Sequence, residues 1–252
     1  MKANKLWILI LAFALVIGYL PIVNLAAVKI TPKSTLKVLF IGNSFTFYKN
    51  MPLIVKRIAD AKGTPMDVKF IAKPGMSLKD NWDHHNALLE IKKEKWDYVV
   101  LQGSSREPYK NKGEYYTYAR LFDREIKKAG AKTVLYMTWS DLTPEGMPDL
   151  SVQIKLNKSI EQLSGELNAL LAPVGPVWNV LYNKVPQLKT LYSKDNHHPS
   201  ALGAYISACV FYSTLFNKSP EGDATTEFGY EQPYQRVVWK AYRNFFKMKT
   251  GI

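Results

Sequence analysis

Short apolar runs and longer stretches with helical spacing follow one another along the chain. Five runs rich in apolar and β-branched residues predict strands. In chain order they are LKVLFIG (36–42), MDVKFIAKPG (66–75), WDYVVLQGSS (96–105), AKTVLYMTWS (131–140) and a short strand within APVGPVWNVLYN (172–183). The first run shows no polar alternation, which is typical of a strand that is buried on both faces.

Between and after these runs, apolar residues recur every three or four positions, which predicts helices. The predicted helices are MPLIVKRIADAKG (51–63), the later part of SLKDNWDHHNALLEIKKEK (77–95), GEYYTYARLFDREIKKAG (113–130), SVQIKLNKSIEQLSGELNALLA (151–172), ALGAYISACVFYSTLF (201–216) and EQPYQRVVWKAYRNFFKMKTGI (231–252). Strand and helix alternate about five times, which indicates an α/β fold. We expect a three-layer α/β/α sandwich with a roughly five-stranded parallel sheet.

Small and polar residues follow the predicted strands. Ser44 comes after the first strand, Gly75 ends the second, residues 102–105 end the third, and Trp139 and Ser140 end the fourth. Ligands bind outside the carboxyl ends of the strands in open α/β sheets. These residues are therefore expected to meet at one edge of the sheet.

The first 29 residues differ from the rest of the chain. Two lysines precede an apolar run from Leu6 to Val28 that carries no charge. Such a segment is typical of a signal peptide or a signal-anchor and is not expected to form part of the folded domain. Residues 30–252 then form a single domain outside the cytoplasm, secreted if the leader is cleaved and held at the membrane if it is not.

Composition narrows the class of protein further. The chain has 252 residues, 47% of them apolar, and a net charge of +13. Its single cysteine, Cys209, excludes an intramolecular disulfide and Cys-rich zinc modules, and its apolar surroundings predict a buried thiol. The positive charge could attract an anionic surface or polymer, or it could simply be solvated. The lysines are scattered along the chain, which argues against nucleic-acid binding.

A serine at the end of a buried strand either caps a helix or acts as a nucleophile. A serine nucleophile needs a base, and the segment SKDNHHPS (193–200) offers one. Asp195 lies three residues before His198, so its carboxylate can hold one imidazole nitrogen while the other faces Ser44. His197 is the competing base. No zinc-binding spacing occurs, and we expect neither a metal nor an organic cofactor.

An acyl-transfer site also needs donors for the oxyanion. The backbone amides of Ser44 and Gly75 are candidates, and the side chain of Gln102 is the first choice for a third donor, ahead of Ser105. We expect Asn43, Ser105, Trp139 and His197 to line the substrate site. The loop 141–150 is the expected specificity element.

Four motifs together carry a resemblance. FIGNSF (40–45), KPGMSL (73–78), VVLQGSS (99–105) and DNHHPS (195–200) resemble, in order, the four sequence blocks of the SGNH hydrolases, the GDSL-like esterase superfamily. The resemblance spans residues 36 to about 216. It implies a flavodoxin-like fold, with Ser44 as nucleophile, His198 as base, Asp195 as its orienting acid and Gly75 as an oxyanion amide.

Two departures accompany the resemblance. Asn43 replaces the aspartate usual in the first block, and the third block lacks the asparagine whose amide serves the oxyanion. The resemblance therefore does not fix the third donor.

The function expected from these features is an exported serine esterase. It would hydrolyse small acyl esters, O-acetyl groups on carbohydrate first among them, so its partner is a small-molecule or polysaccharide ester. A lipase or lysophospholipase and an O-acyltransferase of the same fold remain open, as does a catalytically silent carbohydrate-binding protein. The sequence does not determine the oligomeric state.

Overall fold

Five parallel strands form one sheet in the computed structural model, which describes residues 34–184, 190–222 and 233–250. The strands are β1 (Leu36–Gly42), β2 (Met66–Ala72), β3 (Tyr98–Leu101), β4 (Lys132–Tyr136) and β5 (Leu170–Ala172). Their order across the sheet is β2-β1-β3-β4-β5. The chain reverses direction across the sheet after β2, and such a reversal opens a crevice beyond the carboxyl ends of β1 and β3.

The sheet is covered on both faces, as predicted. Val38 and Phe40 of β1 belong to one apolar cluster, whereas Leu39 and Ile41 belong to another, and all four side chains are fully buried. Successive residues of a strand point to opposite faces, so these two clusters are the two helix–sheet interfaces. The predicted three-layer α/β/α class is confirmed.

Helices fill both outer layers. They are α1 (Ser44–Phe47), α2 (Met51–Ala61), α3 (Leu78–Asp83), α4 (Asn86–Lys93), α5 (Glu107–Lys110), α6 (Lys112–Lys128), α7 (Leu150–Leu167), α8 (Val174–Lys184), α9 (Ala201–Phe216) and α10 (Pro233–Thr250). Helices α2, α8, α9 and α10 pack on the Phe40 face, and α3, α4, α6 and α7 pack on the Leu39 face. Helix α9 is buried along nearly its whole length, and the thiol of Cys209 is buried within it, as expected.

The fifth strand lies earlier than predicted. Helix α7 ends at Asn168, which has a left-handed φ of 47°, and β5 takes the next residues. The run assigned to a strand is instead helix α8, with Pro176 in its first turn. Proline is tolerated there because the first backbone N–H groups of a helix have no partner inside the helix. A buried apolar run cannot by itself separate a strand from a helix.

The region 77–95 also differs from the expectation. It forms two helices, α3 and α4, rather than one helix in its later part, and they meet at His85, which has a φ of 57°. Helix α3 begins with a capping box in which Ser77 and Asp80 exchange hydrogen bonds. This cap starts the helix earlier in the segment than apolar spacing alone suggests.

The predicted leader, residues 1–29, lies outside the described residues. Among residues 34–184, 190–222 and 233–250, no helix is both long and apolar enough to cross a membrane.

Candidate active site

Strand β1 delivers Ser44 to the carboxyl edge of the sheet. After Gly42, Asn43 adopts an extended conformation and caps α1, its side chain accepting a hydrogen bond from the Phe45 backbone N–H at 3.0 Å. Ser44 is the first residue of α1, so its own N–H has no partner inside the helix. The residue is partly exposed. The turn therefore presents both a hydroxyl and a backbone donor at the same point.

Ser44 meets the two residues predicted as its base and acid. His198 Nε2 lies 2.9 Å from Ser44 Oγ, and His198 Nδ1 lies 2.7 Å from Asp195 Oδ2. With Nδ1–H donating to the carboxylate, Nε2 is left as an acceptor for the serine hydroxyl. These contacts are those that a Ser-His-Asp triad requires. The structure thus places Ser44, His198 and Asp195, the three residues proposed from the sequence, within hydrogen-bond distance of one another.

The acid of this group is held ionised by its own loop. Desolvation acts to raise the pKa of Asp195, but the hydrogen bond from the His198 side chain and those from the backbone N–H groups of His198 and His197 lower it to about 2. The backbone bonds measure 2.9 and 3.1 Å and fold residues 195–198 into a tight turn. The carboxylate is therefore ionised, and a hydrogen-bond acceptor, at neutral pH.

Aromatic rings fix the plane of the His198 imidazole. Tyr48 stacks on it with centroids 4.7 Å apart and an interplanar angle of 24°, and Phe45 meets it edge-on at 5.7 Å. Lys49, which has a φ of 55°, places its ammonium 5.5 Å from the centroid of the Tyr48 ring. Sequence reasoning missed Tyr48, although its position one helical turn after Ser44 could have indicated it.

The second predicted oxyanion donor lies on a tight turn after β2. Met76 N–H donates to Lys73 O at 3.4 Å, with Pro74 and Gly75 between them and a Gly75 φ of +72°. That is the arrangement of a type II turn, which needs glycine at this position. Asn43 Nδ2 donates to Met76 O at 2.9 Å and so ties this turn to the Ser44 loop. Gly75 is exposed, and its N–H has no hydrogen-bond partner in the described part of the chain.

Gln102 lies against the Ser44 loop but faces inward. Its side chain is fully buried, and its Oε1 accepts from Asn43 N–H at 2.9 Å and from Thr46 Oγ1 at 2.8 Å. Its Nε2 donates to Asn43 Oδ1 at 2.9 Å and to Gly103 O. Both amide hydrogens are used, so the side chain offers no donor to an oxyanion as it stands. The geometry makes Gln102 a clamp on the loop rather than the third donor that we predicted.

Ser105, the second choice for that donor, is placed differently. It is partly exposed and lines a surface depression together with His197. Its hydroxyl has no hydrogen-bond partner within the described ranges. It therefore remains a candidate donor to a bound substrate.

Two residues expected to line the substrate site are buried instead. Asn43 is 4% exposed and is committed to the clamp, and Trp139 is 1% exposed. The Trp139 ring stacks between Phe45, at 4.5 Å, and Trp178, at 4.0 Å, and its Nε1 donates to His197 O at 3.0 Å. The lining predicted for Asn43 and Trp139 is wrong, because core packing takes up both side chains.

A buried acid that the sequence reasoning missed braces the loop after β3. Glu107 is 4% exposed, and its Oε2 accepts from Ser104 N–H at 2.8 Å and from Leu78 N–H at 3.4 Å. Burial raises the pKa of its carboxyl group despite these backbone bonds. A Cβ at Gly103 would lie 2.9 Å from the same oxygen. The glycine thus permits the approach that joins the loops following β2 and β3.

Two open depressions flank Ser44, His198 and Asp195. One, of about 670 Å³, is lined by Ser105, Arg106, Asp141, His197 and their neighbours. The other, of about 630 Å³, lies beside Tyr48, Lys49, Lys194 and Asp195. A larger depression of about 1040 Å³ lies against α10 and the amino ends of β3 and β5, at the opposite edge of the sheet. Ser44, His198 and Asp195 thus lie in a shallow cleft that is open to solvent.

The described residues were compared with the ligand sets that hold metal ions in proteins. Among the described residues, no group of three or more His, Cys, Asp or Glu side chains is arranged to hold a metal ion. His84 lies outside the cleft, and its Nδ1–H donates to Asp80 O at 2.9 Å.

Comparison with solved structures identifies the fold of this chain. A candidate SGNH hydrolase from Slackia heliotrinireducens is 26% identical and superposes with a TM-score of 0.61, covering 72% of this chain and 100% of its own. This chain has the SGNH hydrolase fold. The resemblance drawn from the four sequence blocks is thereby confirmed at the level of the fold.

Other proteins with similarity to this SGNH-fold chain are more distant in sequence. A DUF4886 family protein from Bacteroides uniformis is 17% identical, with a TM-score of 0.67 over 84% of this chain and 94% of its own. An acetyl xylan esterase is 15% identical, with a TM-score of 0.59 over 71% of this chain and 100% of its own. Lipases and esterases are also among the similar structures. No family model matches the sequence, and neither does any curated protein.

Proposed function

We propose that this protein is an exported serine esterase that removes small acyl groups, O-acetyl groups in particular, from carbohydrate. The observation that carries the proposal is the chain of contacts from Ser44 Oγ to His198 Nε2, at 2.9 Å, and from His198 Nδ1 to Asp195, at 2.7 Å. The esterase/lipase fold supports hydrolysis of an ester, and the apolar leader, which lies outside the described residues, supports export.

In the proposed reaction, His198 Nε2 takes the proton of Ser44 as Oγ bonds to the ester carbonyl carbon. The carbonyl π electrons move onto oxygen, and the backbone N–H groups of Ser44 and Gly75 are the donors offered to that oxyanion. Asp195 stabilises the imidazolium but stays ionised. When the tetrahedral intermediate collapses, His198 returns the proton to the departing alcohol and an acyl-serine remains.

Water completes the cycle. His198 removes a proton from a water molecule that attacks the acyl carbon, a second tetrahedral intermediate forms, and the proton passes to Ser44 Oγ as the acid departs. A sugar hydroxyl in place of water would make the same site an acyltransferase, since the acyl-enzyme is common to both.

The surroundings of Ser44 favour a small acyl group and a polar alcohol. Both depressions beside Ser44 are open to solvent and most of their lining residues carry polar groups, whereas a long acyl chain needs an enclosed apolar groove to be removed from water. The similarity of the fold to an acetyl xylan esterase agrees with this choice of substrate.

Two measurements on the full-length protein test the proposal. A fluorophosphonate probe should label the wild type and fail to label Ser44→Ala, which separates an enzyme from a silent binding protein. With p-nitrophenyl esters, kcat/KM should fall at least about tenfold from acetate to octanoate, because both depressions are open to solvent and cannot remove a longer chain from water. A preference for octanoate would favour a lipase and overturn the assignment to small acyl groups.

A further inference from the structure

The cleft contains a second aspartate–histidine pair beside the one in the triad. Asp141 Oδ1 lies 2.5 Å from His197 Nδ1, and Asp141 Oδ2 lies 3.3 Å from Arg106 Nη2. Burial acts to raise the pKa of Asp141, but the hydrogen bonds and charges of His197 and Arg106 lower it overall. The carboxylate therefore bridges an imidazole and a guanidinium at the mouth of the site.

His197 is held rigidly next to the triad. Its ring lies 4.7 Å from that of His198 at an angle of 87°, and it packs against Phe45 at 4.7 Å. Its carbonyl accepts from Trp139 Nε1, and Leu142 N–H donates to Asn196 O at 3.1 Å. The loop after β4 and the loop that bears the triad acid are thereby joined, so His197 has little freedom to turn away.

The outer nitrogen of His197 is left without a protein partner. Asp141 accepts from Nδ1–H, which makes Nε2 a hydrogen-bond acceptor in the neutral ring. Its side chain is 33% exposed and lines the depression of about 670 Å³, where no described residue bonds to Nε2. The triad histidine uses the matching nitrogen to hold Ser44, whereas His197 offers its nitrogen to a ligand.

Donors lie in the same depression. Ser105 contributes an unpartnered hydroxyl, and Arg106 has a 60% exposed side chain with only one nitrogen bonded to Asp141. A sugar hydroxyl is both donor and acceptor, so two neighbouring hydroxyls can bond to an imidazole acceptor and to a guanidinium or hydroxyl donor at once. An apolar alcohol would make none of these hydrogen bonds and would displace water that makes them.

We propose that His197, oriented by Asp141, binds a free hydroxyl next to the ester and so selects carbohydrate esters over simple ones. This inference rests on the proposed function and assigns the alcohol half of the substrate to the depression of Ser105, Arg106 and Asp141. His197 is a specificity residue in this account, and His198 alone transfers the protons.

The test pairs two enzymes with two substrates. The substrates are methyl 2-O-acetyl-β-D-xylopyranoside, which has free hydroxyls beside the ester, and its 3,4-di-O-methyl ether, which does not. The full-length wild type is compared with His197→Phe, which keeps a ring against Phe45 but removes Nε2. We expect the wild type to prefer the free sugar by about 3- to 10-fold in kcat/KM, the range that one hydrogen bond between uncharged groups supplies.

In His197→Phe the wild-type preference for the free sugar should largely disappear, to about twofold or less. Asp141→Asn keeps the shape of the side chain but removes its charge, and it should also reduce the preference for the free sugar. This variant provides the test if His197→Phe does not fold. His84→Phe, which removes a histidine outside the cleft, is the matched control and should keep the wild-type preference. Hydrolysis of p-nitrophenyl acetate reports separately on the triad.

The possible failures are distinguishable. A wild type that hydrolyses both sugars equally, or variants that keep the full preference for the free sugar, would overturn the role of His197 while the esterase stands. A wild type that hydrolyses neither the sugars nor p-nitrophenyl acetate would overturn the proposed function itself.

Discussion

The clamp formed by Gln102 gives the sharpest quantitative expectation. Gln102→Met keeps roughly the volume of the side chain but removes its four hydrogen bonds to Asn43, Thr46 and Gly103. Two buried donors, Asn43 N–H and the Thr46 hydroxyl, then lose their acceptor. Each such loss costs about 1–3 kcal/mol, so the free energy of unfolding should fall by about 4 kcal/mol. That is a large share of the 5–15 kcal/mol typical of a domain.

Urea unfolding followed by tryptophan fluorescence measures this change. Thr46→Val is the matched control, because it removes one of the four bonds and leaves Gln102 Oε1 bonded to Asn43 N–H. Its cost should be only about 1 kcal/mol. Both variants are also assayed with p-nitrophenyl acetate.

The structural role of Gln102 would be refuted if Gln102→Met lost activity without losing stability. If Gln102→Met lowered the free energy of unfolding by less than about 1 kcal/mol while kcat fell by about 100-fold, the amide would be acting on the oxyanion. The inward orientation of Gln102 would then not describe the working enzyme.

Two further expectations follow from the surroundings of the triad. Because the folded-state pKa of Asp195 is about 2, below its ordinary value of 3.8, its stabilising effect is complete above the ordinary value and disappears as the pH falls through about 2. The difference in unfolding free energy between wild type and Asp195→Asn should therefore shrink in urea titrations from pH 5 to pH 3, and a constant difference would contradict this. Trp139→Phe removes the bond to His197 O and part of two ring stacks, so it should lower the free energy of unfolding by about 1–3 kcal/mol. A loss well under 1 kcal/mol in the same assay would show that this bond matters little.

Local patterns predicted what depends on local chemistry. Strand β1 has the bounds that were predicted, Leu36–Gly42. The spacing of Asp195 and His198 was enough to predict their contact, because three residues in a tight turn bring the two side chains together. Ser44, Gly75 and the loop after β3 were expected to lie close together because each follows a strand of the sheet. The carboxyl ends of parallel strands lie at the same edge.

Features that depend on distant partners were not predictable from the sequence. Whether Trp139 faces a ligand or the core depends on Trp178, which stacks on it from helix α8. The direction of the Gln102 amide depends on Asn43 and Thr46, more than fifty residues away. In the same way, nothing near His197 in the sequence indicates that Asp141 is its partner. Residue types along the sequence indicate which groups are available for a reaction, whereas tertiary contacts determine which way each side chain points.

The most direct test of the account is hydrolysis of p-nitrophenyl acetate by the full-length wild type beside Ser44→Ala and His198→Ala. Loss of a triad member in related chemistry costs several orders of magnitude in kcat, so each variant should lose at least about 1,000-fold. Folded variants that keep wild-type activity would contradict the assignment of Ser44 and His198. A folded wild type with no activity and no fluorophosphonate labelling would contradict the esterase itself.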